Sequence, residues 1–144
     1  MNWVEKRAQS DRILMAKSED SWSDVCQAIR EACSSFNAHY HPTDAEVSCE
    51  AVNGGGLRVT RICSSSNVSS ITVIDFSFDP RTYTIEAKCI EPCQTKKFSM
   101  VVEGEKIIIL EGANHCGPDE VSQRCLEQVF FSNGSTRPWE SSKQ

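Results

Sequence analysis

The sequence contains no long hydrophobic run, and its longest uninterrupted apolar stretches cover only residues 13–16 and 107–110. A helix that crosses a bilayer needs ~20 consecutive apolar residues, so we expect no membrane-spanning helix and no membrane partner. Residues 1–7 also lack the basic start, apolar middle and small-residue cleavage site of a secretory signal. If Met1 is the natural start, these features predict a cytoplasmic protein.

The sequence has few basic residues: it contains 15 Lys and Arg against 20 Asp and Glu, which gives a formal net charge of −5. Such a chain offers no uniform positive field to a polyanion, so we expect no nucleic-acid partner. A Walker loop, a dinucleotide fingerprint and a nucleophile elbow are all missing. The sequence therefore predicts no cofactor.

The remaining composition is that of an ordinary globular chain, with 144 residues of which 39% are hydrophobic and 24% charged. A chain of this length can bury one core, and no internal repeat divides it. We predict a single domain over residues 1–131 and a polar tail over residues 132–144 that contains Trp139. Residues 1–17 fit a short helix or a strand, and the pattern does not separate the two.

Two segments carry helix signals. Apolar residues recur at three- and four-residue intervals between positions 22 and 40, and Ser21 with Asp24 resembles a capping box, so we predict a helix that begins at Ser21. Near the C-terminus, Gly117 and Pro118 precede two acids that suit the positive end of a helix dipole. We predict a second helix from Pro118 to a stop at Asn133-Gly134.

Between these helices the hydrophobic period changes from about 3.6 to two, which is typical of half-buried strands. Strands are predicted over residues 46–51, 57–62, 71–78, 83–89, 98–102 and 106–111. Short connections such as Asn53-Gly54-Gly55 and Asp79-Pro80 favour antiparallel neighbours. The predicted fold is α+β: an antiparallel five- to six-stranded β-meander with an N-terminal and a C-terminal helix packed on one face.

Eight cysteines stand at positions 26, 33, 49, 63, 89, 93, 116 and 125. Disulfide frameworks belong mainly to oxidising compartments and to domains too small to form a core, so we predict reduced thiols. The candidate metal ligands are Cys89, Cys93, His115 and Cys116, because three thiolates and an imidazole can surround zinc tetrahedrally. However, His115 and Cys116 are adjacent, unlike the tight ligand pairs of structural zinc sites. We therefore favour small buried hydrophobic residues over a metal site.

Cys116 is also a candidate catalytic nucleophile, because it precedes a predicted helix start whose amides can lower a thiol pKa. His115 is the candidate base. Adjacent residues rarely point their side chains at one another, and no Cys-His signature surrounds these two. The sequence favours an incidental cysteine, so an enzyme is the least favoured of three functional hypotheses.

The leading hypothesis is a non-enzymatic protein-interaction or binding module that meets a protein partner or forms a homodimer. It rests on polar residues that are spread along the strands and do not converge on a reaction centre. The alternative is a small-ligand-binding protein with an apolar pocket between sheet and helices. We favour the interpretation that the aromatic residues simply fill the core. The candidate lining of the pocket consists of six of them: Trp22, Phe36, Phe76, Phe78, Tyr83 and Phe98.

Overall fold

The structure, a computed structural model, describes residues 2–40, 45–64, 69–89 and 94–131. The described chain folds as α1 (Trp3–His39), β1 (Ala45–Val52), β2 (Gly56–Ser64), β3 (Ser69–Asp79), β4 (Thr84–Cys89), β5 (Lys96–Glu103), β6 (Lys106–Glu111), β7 (Asn114–Cys116) and α2 (Pro118–Phe131). This confirms the predicted α+β class, with two helices packed on one face of an antiparallel sheet.

The sheet contains seven described strands in the order β1 to β7, and every neighbouring pair is antiparallel. The described strand count is slightly higher than the predicted five or six, because the short strand β7 adds to it. Its three residues are too few to show a period of two, and Asn114 and His115 are polar. β7 forms because Gly112, with a φ of +62°, turns the chain back beside β6.

The helix α1 is much longer than predicted. It runs without interruption from Trp3, so the predicted start at Ser21 is wrong and residues 1–17 are helical from Trp3 onward. The capping box lies instead at Asn2 and Glu5, where Glu5 N–H donates to Asn2 Oδ1 at 2.9 Å and Asn2 N–H donates to Glu5 Oε1 at 3.5 Å. No proline or glycine stands between residues 3 and 39 to end the helix.

The inner face of the sheet and both helices enclose the core. Alternate strand residues such as Val59, Ile74, Ile85 and Phe98 are buried, as the period of two predicts. From the helices come Val25, Ile29, Cys33 and Phe36 of α1, and Val121, Cys125, Leu126 and Val129 of α2. The core is therefore formed between one sheet face and two amphipathic helices.

Contacts along α1 show how it crosses this face. Lys17 Nζ donates to the backbone oxygen of Glu105 at 3.1 Å, and Trp22 Nε1 donates to that of Gly55 at 3.3 Å. Near the helix C-terminus, the Asn37 side chain hydrogen-bonds the backbone of Val47 in β1. The first turns are different, because Trp3 is 79% exposed and none of residues 3–13 belongs to the core cluster. None of the described helices combines the length and the apolar character needed to cross a bilayer.

The helix α2 begins as predicted, at Pro118 after Gly117. Gly117 N–H donates to Glu120 Oε1 at 3.1 Å, which satisfies one amide at the helix N-terminus. In the middle of α2, Arg124 Nη1 donates to Glu111 Oε1 at 2.9 Å. Lys96 Nζ donates to the second oxygen of the same carboxylate at 3.2 Å, so one acid on β6 links α2 to β5.

Candidate functional site: a groove between the two helices

The two helices run side by side in the same direction. At one end of their contact, the buried Ser122 Oγ donates to the backbone oxygen of Ala28 at 3.5 Å. Eight residues further along each helix, the rings of Phe36 and Phe130 lie 4.6 Å apart between centroids. Eight helical residues rise about 12 Å, so the pairing follows both helices for that distance. Small residues at Ala28 and Ser122 allow the close approach.

A groove of about 560 Å³ lies on the outer side of this helix pair. We call it the interhelical groove; its lining residues are Ala28, Glu31, Ala32, Ser35, Asp119, Ser122, Gln123, Leu126, Glu127, Phe130 and Phe131. The apolar lining comes from two alanines of α1 and from Leu126 and the two phenylalanines of α2. Its volume is within the range of pockets that hold ligands or peptide side chains, roughly 300–1,000 Å³.

The groove continues at its C-terminal end into an aromatic cluster. A second depression of about 430 Å³ shares Ala32, Ser35 and the two phenylalanines of α2, and adds Phe36, His39 and Tyr40. Tyr40 stacks on Phe36 at 4.8 Å and meets the edge of Phe131 at 5.2 Å between centroids. Phe131 is nevertheless 40% exposed. A large apolar side chain is thus presented at the end of the groove.

The charged residues that line the interhelical groove are all acidic: Glu31, Asp119 and Glu127. Glu31 accepts a hydrogen bond from the Gln27 amide at 3.0 Å, and Glu127 accepts one from the Gln123 amide at 3.3 Å. Neutral amides orient these carboxylates without neutralising them. Within the described ranges, no ion pair involves any of these three acids. The groove therefore combines an apolar floor with a negative rim.

The six aromatic residues that are candidates for lining a pocket between sheet and helices lie in the core or pack against it. Phe76 and Phe98 are fully buried in the core cluster, which also contains Phe36. Trp22, Phe78 and Tyr83 are half-buried against it, and Trp22 stacks on Phe78 with ring centroids 6.0 Å apart. Of the six, Phe36 lines the depression beside the interhelical groove. The structure gathers these rings as packing partners.

His115 and Cys116 do not form a dyad. In β7, His115 pairs with Leu110 and Cys116 with Ile109, so their side chains point to opposite faces of the sheet. His115 is exposed and its Nε2 lies 3.9 Å from Glu103 Oε2, whereas the buried Cys116 Sγ contacts the backbone oxygen of Asn114 at 3.7 Å. Neither of these contacts places His115 or another base beside the Cys116 thiol.

The four candidate metal ligands are likewise not brought together as a described cluster. Cys93 lies outside the described residues. Cys89 is disulfide-bonded, so it has no thiolate to offer a metal in this state. No group of three or more potential ligands occurs among the residues that the structure describes. The prediction of reduced thiols holds for Cys26, Cys33, Cys49, Cys116 and Cys125 and is wrong for Cys89.

Sequence reasoning missed the interhelical groove. Two of its residues carry a signal: Ala28 and Ala32 are small residues on one helix face, a pattern that permits close helix packing. Which helix packs there depends on tertiary structure, because all the strands of the sheet lie between residues 28 and 122 in the sequence. No protein-family model, no curated protein and no solved structure matches this chain. Its function must therefore be argued from the groove.

Proposed function

We propose that this chain is a non-enzymatic protein-interaction module that binds a basic amphipathic segment of a partner protein in the interhelical groove. The observation that carries the proposal is the combination of an apolar floor with three acidic residues that have no described cationic partner. An amphipathic helix binds a groove by burying its apolar face, and lysine or arginine beside that face would meet Glu31, Asp119 and Glu127.

The geometry favours a side-on helical segment over a small ligand. The interhelical groove and the aromatic depression adjoin through shared residues such as Ala32 and Phe130, so the accessible apolar surface is elongated. The exposed Phe131 provides an aromatic anchor at one end, and aromatic anchors carry much of the binding energy at interfaces. The net charge of −5 adds a long-range attraction for a basic partner.

Homodimerisation through a sheet edge, the other interaction considered from sequence, has less support. Asn37 already hydrogen-bonds both the N–H and the C=O of Val47 on β1. At the opposite edge, β7 has only three residues. Short or covered edges oppose strand pairing between copies.

The direct test is a titration of the purified chain with a designed peptide of about five helical turns, leucine on one face and lysine on the other. Fluorescence anisotropy of the labelled peptide measures the dissociation constant. We expect saturable binding that weakens as salt is raised. A peptide of the same pattern with glutamate in place of lysine should bind far more weakly.

Two variants locate the binding. Ala32→Trp fills the groove and should abolish binding, whereas Ala38→Trp on the exposed side of the same helix should not. The double variant Glu31→Gln/Glu127→Gln should weaken binding about three- to tenfold at low salt. Its control, Glu46→Gln/Glu50→Gln, removes the same charge from exposed residues of β1. The proposal is wrong if both double variants weaken binding equally, or if Ala32→Trp binds as the original chain does.

A native mass spectrum separates the protein-partner proposal from the small-ligand alternative. A small molecule retained through purification, and lost in Ala32→Trp, would replace the proposal with ligand binding in the same groove. A cytoplasmic location is the expectation from the sequence. The Cys89 disulfide weighs against it, because disulfides persist mainly in oxidising compartments. Subcellular fractionation of the native source would decide the location.

A further inference from the structure

A pair of thiols joins α1 to the edge strand β1. Cys33 of α1 is buried in the core cluster and Cys49 of β1 is half-buried against the same cluster, both are free thiols, and each one influences the pKa of the other. They belong to two different elements of the fold. The contact is therefore tertiary and has nothing to do with a local Cys motif.

Two hydrogen bonds hold the backbone register of this contact. Asn37 Nδ2 donates to the Val47 backbone oxygen at 2.7 Å, and the Val47 N–H donates to Asn37 Oδ1 at 3.2 Å. Cys33 lies four residues before Asn37 on the same helix face, and Cys49 lies two residues after Val47 on the same strand face. The anchored pair thus places the two cysteines opposite each other.

The two thiols have different chemical character. A hydrogen bond from Cys33 and the positive charge of Arg30 lower the pKa of the Cys49 thiol, against the opposing effects of burial and of the negative charge of Glu50. The same hydrogen bond, together with burial, raises the pKa of Cys33. Cys49 is therefore the thiol that ionises first and the more accessible of the two, while Cys33 is sheltered behind it.

We propose that Cys33 and Cys49 form a thiol–disulfide exchange site that reacts with low-molecular-weight disulfides and closes an α1–β1 disulfide. The Cys49 thiolate attacks one sulfur of the reagent RSSR, which forms a mixed disulfide and releases RS⁻. Cys33 then loses its proton and attacks the Cys49 sulfur, which releases the second RS⁻. The two protein thiols are oxidised, and the reagent takes up their two electrons and two protons as two molecules of RSH.

The other free thiols of the described chain are poor competitors. Burial raises the pKa of Cys26 to about 11 and that of Cys125 to about 12, so both remain protonated near neutral pH. The side chain of Cys116 lies on the buried face of β7. Attack on a disulfide needs an accessible thiolate, which leaves Cys49 as the expected first site.

The test treats the purified chain with oxidised glutathione and follows it by intact mass and peptide mapping. Trypsin leaves both cysteines in one peptide, because no Lys or Arg lies between Arg30 and Arg58. Cleavage after glutamate at Glu46 places the two cysteines in different peptides. The crosslink then appears as two disulfide-linked peptides, which a reductant separates. We expect a transient glutathione adduct at Cys49 followed by this crosslink, with a rate that rises with pH as the Cys49 thiolate forms.

Variants assign the order of events. Cys33→Ala should accumulate the Cys49 adduct, Cys49→Ser should form neither adduct nor crosslink at these positions, and the control Cys125→Ala should crosslink as the original chain does. A Cys49 adduct that persists in the original chain, or faster modification of Cys26 or Cys125, would overturn the proposal. Formation of the crosslink is measured in the unsubstituted chain, so the result does not depend on whether a variant folds.

Discussion

The side chain of Asn37 completes the open edge of the sheet at Val47. Its amide donates to the Val47 backbone oxygen and accepts from the Val47 N–H, at 2.7 and 3.2 Å, as the peptide group of a neighbouring strand would. β1 is an edge strand, and its outward backbone groups would otherwise be left to solvent or to another chain. One helical residue therefore both docks α1 on the sheet and blocks an edge.

Replacement of this side chain should cost stability and open the edge. We expect Asn37→Ala to lower the free energy of unfolding by about 1–2 kcal/mol, because two part-buried backbone groups lose their partners. Urea unfolding measures the loss, and light scattering should show more self-association. Gln27→Ala, which removes an exposed amide bonded only to a side chain, is the control. Equal stability of the two variants would show that the Val47 contacts contribute little.

The carboxylate of Glu111 should make stability depend on pH. Burial raises its pKa, but hydrogen bonds and charge from Arg124 and Lys96 together outweigh burial and leave the pKa below its ordinary value of 4.5. Its contribution is thus fully present above that ordinary value and is lost as the pH falls through the lower folded-state pKa. We expect Glu111→Gln to destabilise by about 1–2 kcal/mol at neutral pH and to have little effect in strong acid.

Urea midpoints of both proteins across an acid pH series check this prediction. The control is Asp11→Asn, which breaks the exposed pair with Arg7 at 3.2 Å and should change stability little at any pH. A pH-independent difference between the original chain and Glu111→Gln would mean that Glu111 acts through packing and not through its charge.

The helix start at Asn2 can be distinguished from the one predicted at Ser21. Asn2→Ala removes the side-chain acceptor of Glu5 N–H and should destabilise the first turns by about 1 kcal/mol. Because residues 3–13 lie outside the core cluster, we expect faster amide exchange there with little change in global melting. Ser21→Ala should leave exchange in α1 unchanged, since Ser21 lies inside the helix. Loss of helix after residue 21 in Ser21→Ala would contradict the continuous helix.

Phe98 tests whether the aromatic residues are packing partners or pocket lining. It is completely buried, so we expect Phe98→Ala to lower the free energy of unfolding by about 3–5 kcal/mol. The matched truncation Ile71→Ala, at a side chain that is 64% exposed on the outer face, should cost less than about 0.5 kcal/mol. Thermal unfolding compares the two. A mild effect at Phe98 would indicate an unfilled space around it and favour the pocket hypothesis.

The strands and α2 were predictable because their signals are local. Alternation of apolar residues around Val59, Ile85 and Phe98 identifies a buried face without knowledge of the neighbouring strand. Pro118, preceded by Gly117 and followed by two acids, marks a helix start in the same way. β7 was missed because three polar-rich residues carry no period, and α1 was misread because Ser21 resembles a cap that the longer helix does not need.

The candidate sites differ from these elements in their physical origin. A hydrophobic period of two or 3.6 residues can be recognised from residues that are close together in the sequence. The amino-acid order alone therefore specified the fold class, the meander and the second helix. The interhelical groove, the Asn37–Val47 contact and the Cys33–Cys49 pair each join residues from different elements, and their distances depend on how helices and sheet pack. The folded arrangement settled these contacts, because side-chain proximity across elements follows from three-dimensional packing and leaves no periodic trace along the chain.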